Sequence, residues 1–126
     1  MTVARHIDSY YAASANPAPD RPALEGDVTA DVCIVGGGLA GCSTALELAE
    51  RGYRVVVLEA KRIAWGASGR SGGQAIVGFA CSQDKLIAQV GREDARRMFD
   101  VTVEALDIIK ERVAKHSIQC DLHWGH

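Results

Sequence analysis

The sequence predicts an α/β fold in which parallel strands are connected by a helix, and three observations lead to this prediction. Two short apolar runs, at residues 32–35 and 55–58, are typical of strands, and the first is typical of a strand that is buried on both faces. The first run stops at three consecutive glycines, after which residues 39–51 are mostly good helix formers. Gly52 then stands where a left-handed residue would end the helix. The order is therefore strand, helix, strand.

The glycines between the first strand and the helix predict a phosphate-binding turn. Gly36, Gly38 and Gly41 follow the spacing GxGxxG. The first allows a tight turn, the second lets backbone amides approach a pyrophosphate, and the third lets the helix pack on the strand. A side chain at Gly38 would occupy the space that the phosphate needs, while the helix amides and dipole would bind the anion.

An acidic residue ends the second strand, as a dinucleotide site requires. Glu59 lies 18 residues after Gly41, and a carboxylate there can accept hydrogen bonds from both hydroxyls of a ribose. The same charge would repel a 2′-phosphate, which disfavours NADP. Because strand, helix, second strand and terminal acid all agree, we predict a Rossmann-like βαβ unit that binds a dinucleotide rather than a purely structural glycine turn.

The βαβ unit does not distinguish FAD from NAD, but a second loop bears on the choice. Residues 66–74, GASGRSGGQ, hold four glycines and offer many amide donors beside one cation, although a flexible connector could have the same composition. With this loop, and with SYYAAS, DVCIVGGGLAG and RVVVLEA, the chain resembles the D-amino acid oxidase-like superfamily of FAD-dependent oxidoreductases. The likeness is closest to the bacterial gamma-glutamylputrescine oxidoreductase group.

The resemblance implies that FAD is the cofactor and that three segments contact it. The pyrophosphate would lie at the glycine turn, and the ribose and adenine would lie at the end of the second strand. The second loop would run along the phosphates toward the flavin ring. The family pattern has Asn at the position of Ser71. The residues implied are, in that order, Gly36, Gly38, Leu39, Ala40 and Gly41; Glu59, Ala60, Lys61 and Arg62; and Ser68, Arg70, Ser71, Gly72, Gly73 and Gln74.

The resemblance also implies a reaction. A small-molecule amine or amino-acid-like substrate, similar to gamma-glutamylputrescine, would lose hydride to the flavin, the imine would be hydrolysed, and dioxygen would reoxidise the cofactor. We assign no catalytic residue, and we expect the substrate-orienting residues beyond His126. Two alternatives remain open at this point: an NAD-dependent dehydrogenase domain, and a non-catalytic dinucleotide-binding subunit.

The domain organisation looks incomplete. Residues 1–30 contain all three prolines and predict an extended N-terminal arm, and residues 31–126 predict the first part of an FAD-binding domain. A doubly wound sheet needs more parallel strands than two, so we expect an incomplete sheet with additional helices. We therefore interpret the chain as an N-terminal fragment, without its substrate domain and inactive alone.

Composition excludes several other classes of function. The net charge of −2 and the absence of a Lys/Arg cluster argue against nucleic-acid binding. No apolar run approaches the 18 residues of a membrane span, and the start of the chain lacks the apolar core of a secretory signal. We accordingly expect a cytoplasmic protein. The four cysteines show no CxxC pairing, and disulfides are not expected in such a protein.

The second half predicts scaffold. Residues 74–80 are short, apolar and predicted to be extended, and Ser82 can cap a short helix over residues 84–90. Gly91 separates this helix from a longer amphipathic one over residues 92–116. Its apolar face consists of Phe99, Val103, Leu106, Ile109 and Val113.

The tail offers two interpretations. His116, Cys120, His123 and His126 fall within eleven residues and could supply metal ligands. Cys120, Leu122 and Trp124 alternate as in a strand, which would place His123 on the opposite face from Cys120. We favour the strand and predict no metal site.

Overall fold

The computed structural model describes residues 5–125, and its chain divides into two compact units, Met1–Gly72 and Gly73–His126. The first contains a βαβ unit, as predicted. Strands β1 (Val32–Val35) and β2 (Val55–Leu58) are parallel, with Val32 opposite Val55 and Val35 opposite Leu58. A parallel pair requires a crossover connection, and the helix between the two strands provides it.

The crossover helix α2 spans Leu39–Glu50, after a short helix α1 (Tyr10–Ser14) in the N-terminal arm. Arg51 is the C-terminal cap of α2, and Gly52 has a φ of 87°, which confirms the predicted left-handed end. The helix packs against both strands. Because it begins directly above the carboxyl end of β1, the first turn of α2 lies at the edge of the sheet where dinucleotides bind in such folds.

The prediction that the first strand is buried on both faces is wrong. Val32 and Ile34 are half-buried, whereas Cys33 and Val35 are exposed, Val35 to 86%. The alternation arises because α2 packs on one face of the two strands only. The strand is nevertheless correctly placed in the sequence, since an apolar run with β-branched residues suits a strand whether one or both faces are covered.

The N-terminal arm is not uniformly extended. Within its described part, residues 5–30, the side chain of Ser9 accepts a hydrogen bond from the Ala12 amide and so caps α1. Tyr10 and Tyr11 contact each other edge to face, with ring centroids 5.8 Å apart. The remainder of the arm lacks regular secondary structure.

The second unit is a helical pair. Helix α3 spans Gln83–Val90 and is capped by Ser82, whose hydroxyl accepts from the Lys85 amide, as predicted. Helix α4 spans Arg92–Lys115, and the two helices pack around Leu86 and Ala95. The predicted apolar face of α4 is only partly covered because α3 is short: Leu106 and Val113 are half-buried and Val103 is exposed.

Two extended segments predicted in this unit are not strands. Residues 74–80 are irregular, with a positive φ at Gly78, whose amide donates to the Thr102 hydroxyl. In the tail, Ser117 and Asp121 have φ values near 50°, which interrupt any extended run, and Lys110 lies 4.7 Å from the ring centroid of Trp124. His126, one of the four residues weighed as metal ligands, lies outside the described residues. Of the described residues, no helix has both the length and the apolar composition needed to cross a bilayer.

Candidate cofactor-binding site

The predicted phosphate turn begins at Gly36, where β1 ends. Its amide donates to the carbonyl oxygen of Leu58 over 2.8 Å, which continues the sheet pairing by one residue. Its φ of 101° lies in the region that only glycine adopts without strain. The chain therefore turns sharply out of the sheet at this residue, as the first glycine of the motif predicts.

Gly41 brings the helix against the turn. A Cβ atom built on Gly41 would overlap the carbonyl oxygen of Gly36 and lie 3.4 Å from Cγ2 of Ile34. Any larger residue would push α2 away from β1, and with it the amides of the first helical turn. The third glycine thus has the packing role that the motif predicts.

Gly38 and Ser68 meet at the N-terminus of α2. Gly38 is the N-cap residue, and an added Cβ there would lie 2.9 Å from the hydroxyl oxygen of Ser68. That hydroxyl accepts a hydrogen bond of 2.8 Å from the amide of Leu39, the first residue of the helix. The first amides of a helix have no acceptor within the helix, so they bind hydroxyls or anions placed there. Ser68 therefore stands where a phosphate oxygen would also bind.

Glu59 follows β2 and faces the glycine turn. One carboxylate oxygen accepts from the Gly37 amide over 2.7 Å, and the other accepts from the Lys61 amide over 2.8 Å. These bonds, with that of Gly37 first, hold the pKa of Glu59 below its ordinary value of 4.5; burial opposes them and the Ala60 amide adds to them. The carboxylate is therefore charged at neutral pH. It has about four acceptor positions, so capacity remains for sugar hydroxyls.

The loop after Glu59 connects the glycine turn to the rest of the unit. The Ala64 amide donates to the Gly37 carbonyl oxygen over 2.8 Å. Lys61 and Arg70 lie 5.6 and 5.8 Å from the ring centroid of Trp65, within the range of a cation–π contact. The loop then continues into a short 3-10 helix, Ala67–Arg70, which carries Ser68.

Arg62, predicted at the adenine edge, forms an ion pair with Asp20 of the N-terminal arm. Its Nε atom is buried without a hydrogen-bond partner among the described residues. A buried donor left in this way costs about 1–3 kcal/mol. The Nη2 atom of the guanidinium is thus held by Asp20, whereas the buried Nε has no hydrogen-bond acceptor among the described residues.

A cavity of about 710 Å³ lies beside Glu59. Its walls are residues 56–63, which include most of β2 and the loop that follows, residues 18–25 of the N-terminal arm, and the side chains of His6 and Val35. The volume is in the range of small-ligand sites. Carboxylate, loop and cavity lie on the side where the fold predicts adenosine, so the residues present suit the adenosine diphosphate half of a dinucleotide.

The structure brings together the predicted residues up to Ser68, and Arg70 lies beside Trp65. Ser71 and Gly72 are exposed at the end of the first unit, and Gly73 and Gln74 belong to the second. Gly37 was not among the predicted site residues, yet it is buried, and its amide and carbonyl both form hydrogen bonds at the site. The sequence does offer a signal for Gly37. It occupies a position of GxGxxG that any residue can fill, so a third consecutive glycine there suggests a separate structural role.

Comparison with known proteins decides the family. Residues 31–126 match the family described as FAD dependent oxidoreductase, which covers most of the chain and both predicted strands. The chain belongs to this family. Proteins of the FAD-dependent oxidoreductase family bind FAD, so the predicted cofactor is confirmed and the NAD alternative is set aside.

Two relatives in this family align along nearly the whole chain. The Haemophilus influenzae protein named Probable oxidoreductase OrdL is 50% identical over 121 residues, and Gamma-glutamylputrescine oxidoreductase of Escherichia coli is 46% identical over 120. These alignments cover 96% and 95% of this chain but only 28% of each relative. The chain therefore spans about a quarter of the length of these proteins.

A third relative shares a shorter stretch. The Aerobic glycerol-3-phosphate dehydrogenase of Bacillus subtilis is 39% identical over 70 residues, which are 53% of this chain and 13% of the relative. Its name points to a substrate unlike an amine. No solved structure gives a significant match.

Proposed function

We propose that this chain forms the adenosine diphosphate-binding part of an FAD-dependent oxidoreductase that oxidises an amine or amino-acid-like substrate, with dioxygen as electron acceptor. The observation that carries the cofactor site is the convergence of Gly37, Glu59 and Ser68 on the N-terminus of α2 through hydrogen bonds of 2.7 and 2.8 Å. The name of the Escherichia coli relative supports a substrate similar to gamma-glutamylputrescine.

Each segment of the site has a separate binding role in this proposal. The glycine turn and first helical turn neutralise the diphosphate, Glu59 accepts the ribose hydroxyls, and the loop after it borders the adenine. The segment from Ser68 to Gln74 follows the cofactor toward the flavin. The proposed contact residues are Gly36, Gly38, Leu39, Ala40, Gly41, Glu59, Ala60, Lys61, Arg62, Ser68, Arg70, Ser71, Gly72, Gly73 and Gln74.

When bound, FAD would supply the redox chemistry, taking two electrons from the substrate and delivering them to dioxygen. The residues described here bind and orient the cofactor. The amides of α2 would bind the negatively charged diphosphate, and the carboxylate of Glu59 would bind the ribose hydroxyls. We place no proton-transferring group for the substrate among them.

The phosphate assignment is tested with Gly38→Val in the purified full-length protein. Its added side chain would overlap the Ser68 hydroxyl and fill the space of the diphosphate. We expect the wild-type protein to show the visible absorbance of bound flavin, Gly38→Ala to retain less flavin, and Gly38→Val to be colourless while its far-ultraviolet circular dichroism is unchanged. Gly125→Ala, where an added Cβ meets no atom within 4 Å, is the matched control. A Gly38→Val protein with full flavin content would contradict the assignment.

The substrate is tested separately by anaerobic mixing. We expect gamma-glutamylputrescine to bleach the flavin absorbance and glycerol 3-phosphate to leave it unchanged, and we expect hydrogen peroxide to form when air is admitted. Bleaching without formation of hydrogen peroxide would indicate that the electron acceptor is a compound other than dioxygen. A flavin that no amine or amino acid bleaches would contradict the amine substrate and leave the cofactor site standing.

A further inference from the structure

The N-terminal arm lies outside the part of the chain that matches the family, yet it forms a wall of the cavity beside Glu59. The match begins at residue 31, whereas residues 18–25 line the cavity opposite residues 56–63. Two of these lining residues are Pro19 and Pro22, whose rings are rigid and apolar. These rings suit a flat apolar surface such as a purine ring, although the same wall also carries the charged residues Asp20, Arg21 and Glu25.

Side-chain contacts join the described arm to the loop after Glu59. Near its start, the indole Nε1 of Trp65 donates to the Arg5 carbonyl oxygen over 2.9 Å. Next to the cavity, Arg62 forms its ion pair with Asp20. Residues 15–30 have no regular secondary structure, so the Asp20–Arg62 pair helps to hold this stretch in place without strand pairing.

The loop that holds the arm also holds the phosphate turn. Ala64, two residues after Arg62, donates to the carbonyl oxygen of Gly37, and the Gly37 amide donates to Glu59. The same loop continues into the short helix whose Ser68 binds the Leu39 amide. The arm, the ribose-binding carboxylate and the phosphate turn are therefore joined through one short segment.

We infer that residues 18–25 form one wall of the adenosine subsite and that the Asp20–Arg62 pair holds this wall closed over the adenine nucleotide. The inference rests on the proposed cofactor site. Asp20 acts as a positioning residue: its carboxylate holds Arg62 and the arm, and the arm borders the ligand. Release of the nucleotide requires the arm to move away, so the strength of this pair sets the dissociation rate of the ligand.

The test measures binding of FAD and of ADP to the full-length apoprotein by flavin fluorescence quenching and calorimetry. We expect Asp20→Asn to weaken FAD and ADP by the same factor, about fivefold for an exposed ion pair, with the change in the dissociation rate. The factors match because the arm borders only the adenosine half. The direction of the change in affinity is informative. Removing the negative charge of Asp20 would by itself reduce repulsion of the diphosphate and so strengthen binding.

Two variants serve as controls. Asp20→Glu keeps the carboxylate and is expected to retain affinity close to that of the wild type. Asp27→Asn removes an arm carboxylate that does not line the cavity, and we expect it to leave both affinities unchanged. Equal loss in Asp27→Asn and Asp20→Asn would overturn the inference, because a general effect of arm charge would explain it.

The inference fails separately from the proposed function. If the wild type binds FAD and ADP, and Asp20→Asn binds both with unchanged affinity and dissociation rate, the arm has no part in the subsite and the cofactor site stands. A wild-type protein that binds neither ligand would contradict the cofactor site itself, and the role of the arm with it.

Discussion

Single glycines set the geometry of this site, and each does so for a different steric reason. Gly36 adopts a backbone conformation that favours glycine. Gly41 must be glycine because a Cβ atom there would clash with the carbonyl oxygen of Gly36. The spacing of the motif predicted both roles because they depend on backbone geometry alone. The run of three glycines marks Gly37, but its hydrogen-bond partners could not be predicted, since Glu59 and Ala64 come from a loop far along the sequence.

Gly41→Ala tests the close approach of α2 to the turn. The added methyl group would overlap the Gly36 carbonyl oxygen, which is backbone and cannot rotate aside. We expect the free energy of unfolding to fall by about 1–3 kcal/mol, as for other over-packed sites. Chemical denaturation measures the change, with Gly125→Ala as the control in open space. Equal stability of the two variants would show that the helix can shift at little cost.

Glu59 makes stability depend on pH in a defined direction. Its pKa is depressed in the folded protein, first by the Gly37 amide and then by that of Lys61. A depressed pKa stabilises the fold at pH values above the ordinary value of 4.5, and this contribution is lost as the pH falls through the lower folded value. Asp31, whose pKa is lowered by Arg54, acts with the same sign.

Glu59→Gln separates the two carboxylates. We expect the free energy of unfolding of the wild type to decrease below about pH 4.5 and that of the variant to decrease less steeply, because the contribution of Glu59 is then absent and that of Asp31 remains. Denaturant titrations between about pH 6 and pH 3 measure both slopes. The same variant should bind FAD about tenfold more weakly, since a neutral amide is a poorer acceptor than a carboxylate. Identical slopes would remove Glu59 from the account of acid stability.

At the scale of elements, the βαβ unit was predictable and the extended segments of the second half were not. Strands β1 and β2 and helix α2 agree with the sequence within one residue, because apolar runs, helix formers and Gly52 all act locally. The tail alternates like a strand, but Ser117 and Asp121 turn the chain and it has no strand to pair with among the described residues. Alternation alone cannot reveal whether a partner strand is within reach.

Helix α2 also depends on a residue from outside its own sequence. Its N-cap residue, Gly38, has no side chain, and the Ser68 hydroxyl supplies the missing acceptor to the Leu39 amide. We expect Ser68→Ala to lower the free energy of unfolding by about 1 kcal/mol, the usual value of a helix cap, and Ser68→Thr to retain most of it. Thermal unfolding of the apoprotein measures both. An unchanged Ser68→Ala protein would mean that water satisfies this amide equally well.

For the whole molecule, family membership implies that cofactor binding and folding are linked. A ligand that binds only the folded state raises the free energy of unfolding, by about 2.7 kcal/mol at a free concentration one hundred times Kd. We expect the unfolding temperature of the full-length apoprotein to rise with FAD concentration, and that of Gly38→Val to stay constant. A wild-type unfolding temperature that is independent of FAD would contradict binding to the folded state.

The hydrogen bonds of Leu39 and Gly37 have a consequence for how tightly the site can hold its ligand. Both amides already have acceptors, in Ser68 and Glu59, within the folded chain. In the proposed site, a diphosphate at the Leu39 amide would compete with the Ser68 hydroxyl rather than with bulk solvent, and the gain in binding free energy would be the difference between a charged and a neutral acceptor. These internal hydrogen bonds would lower the affinity for the cofactor. They would also keep the glycine turn in its binding conformation when no cofactor is bound.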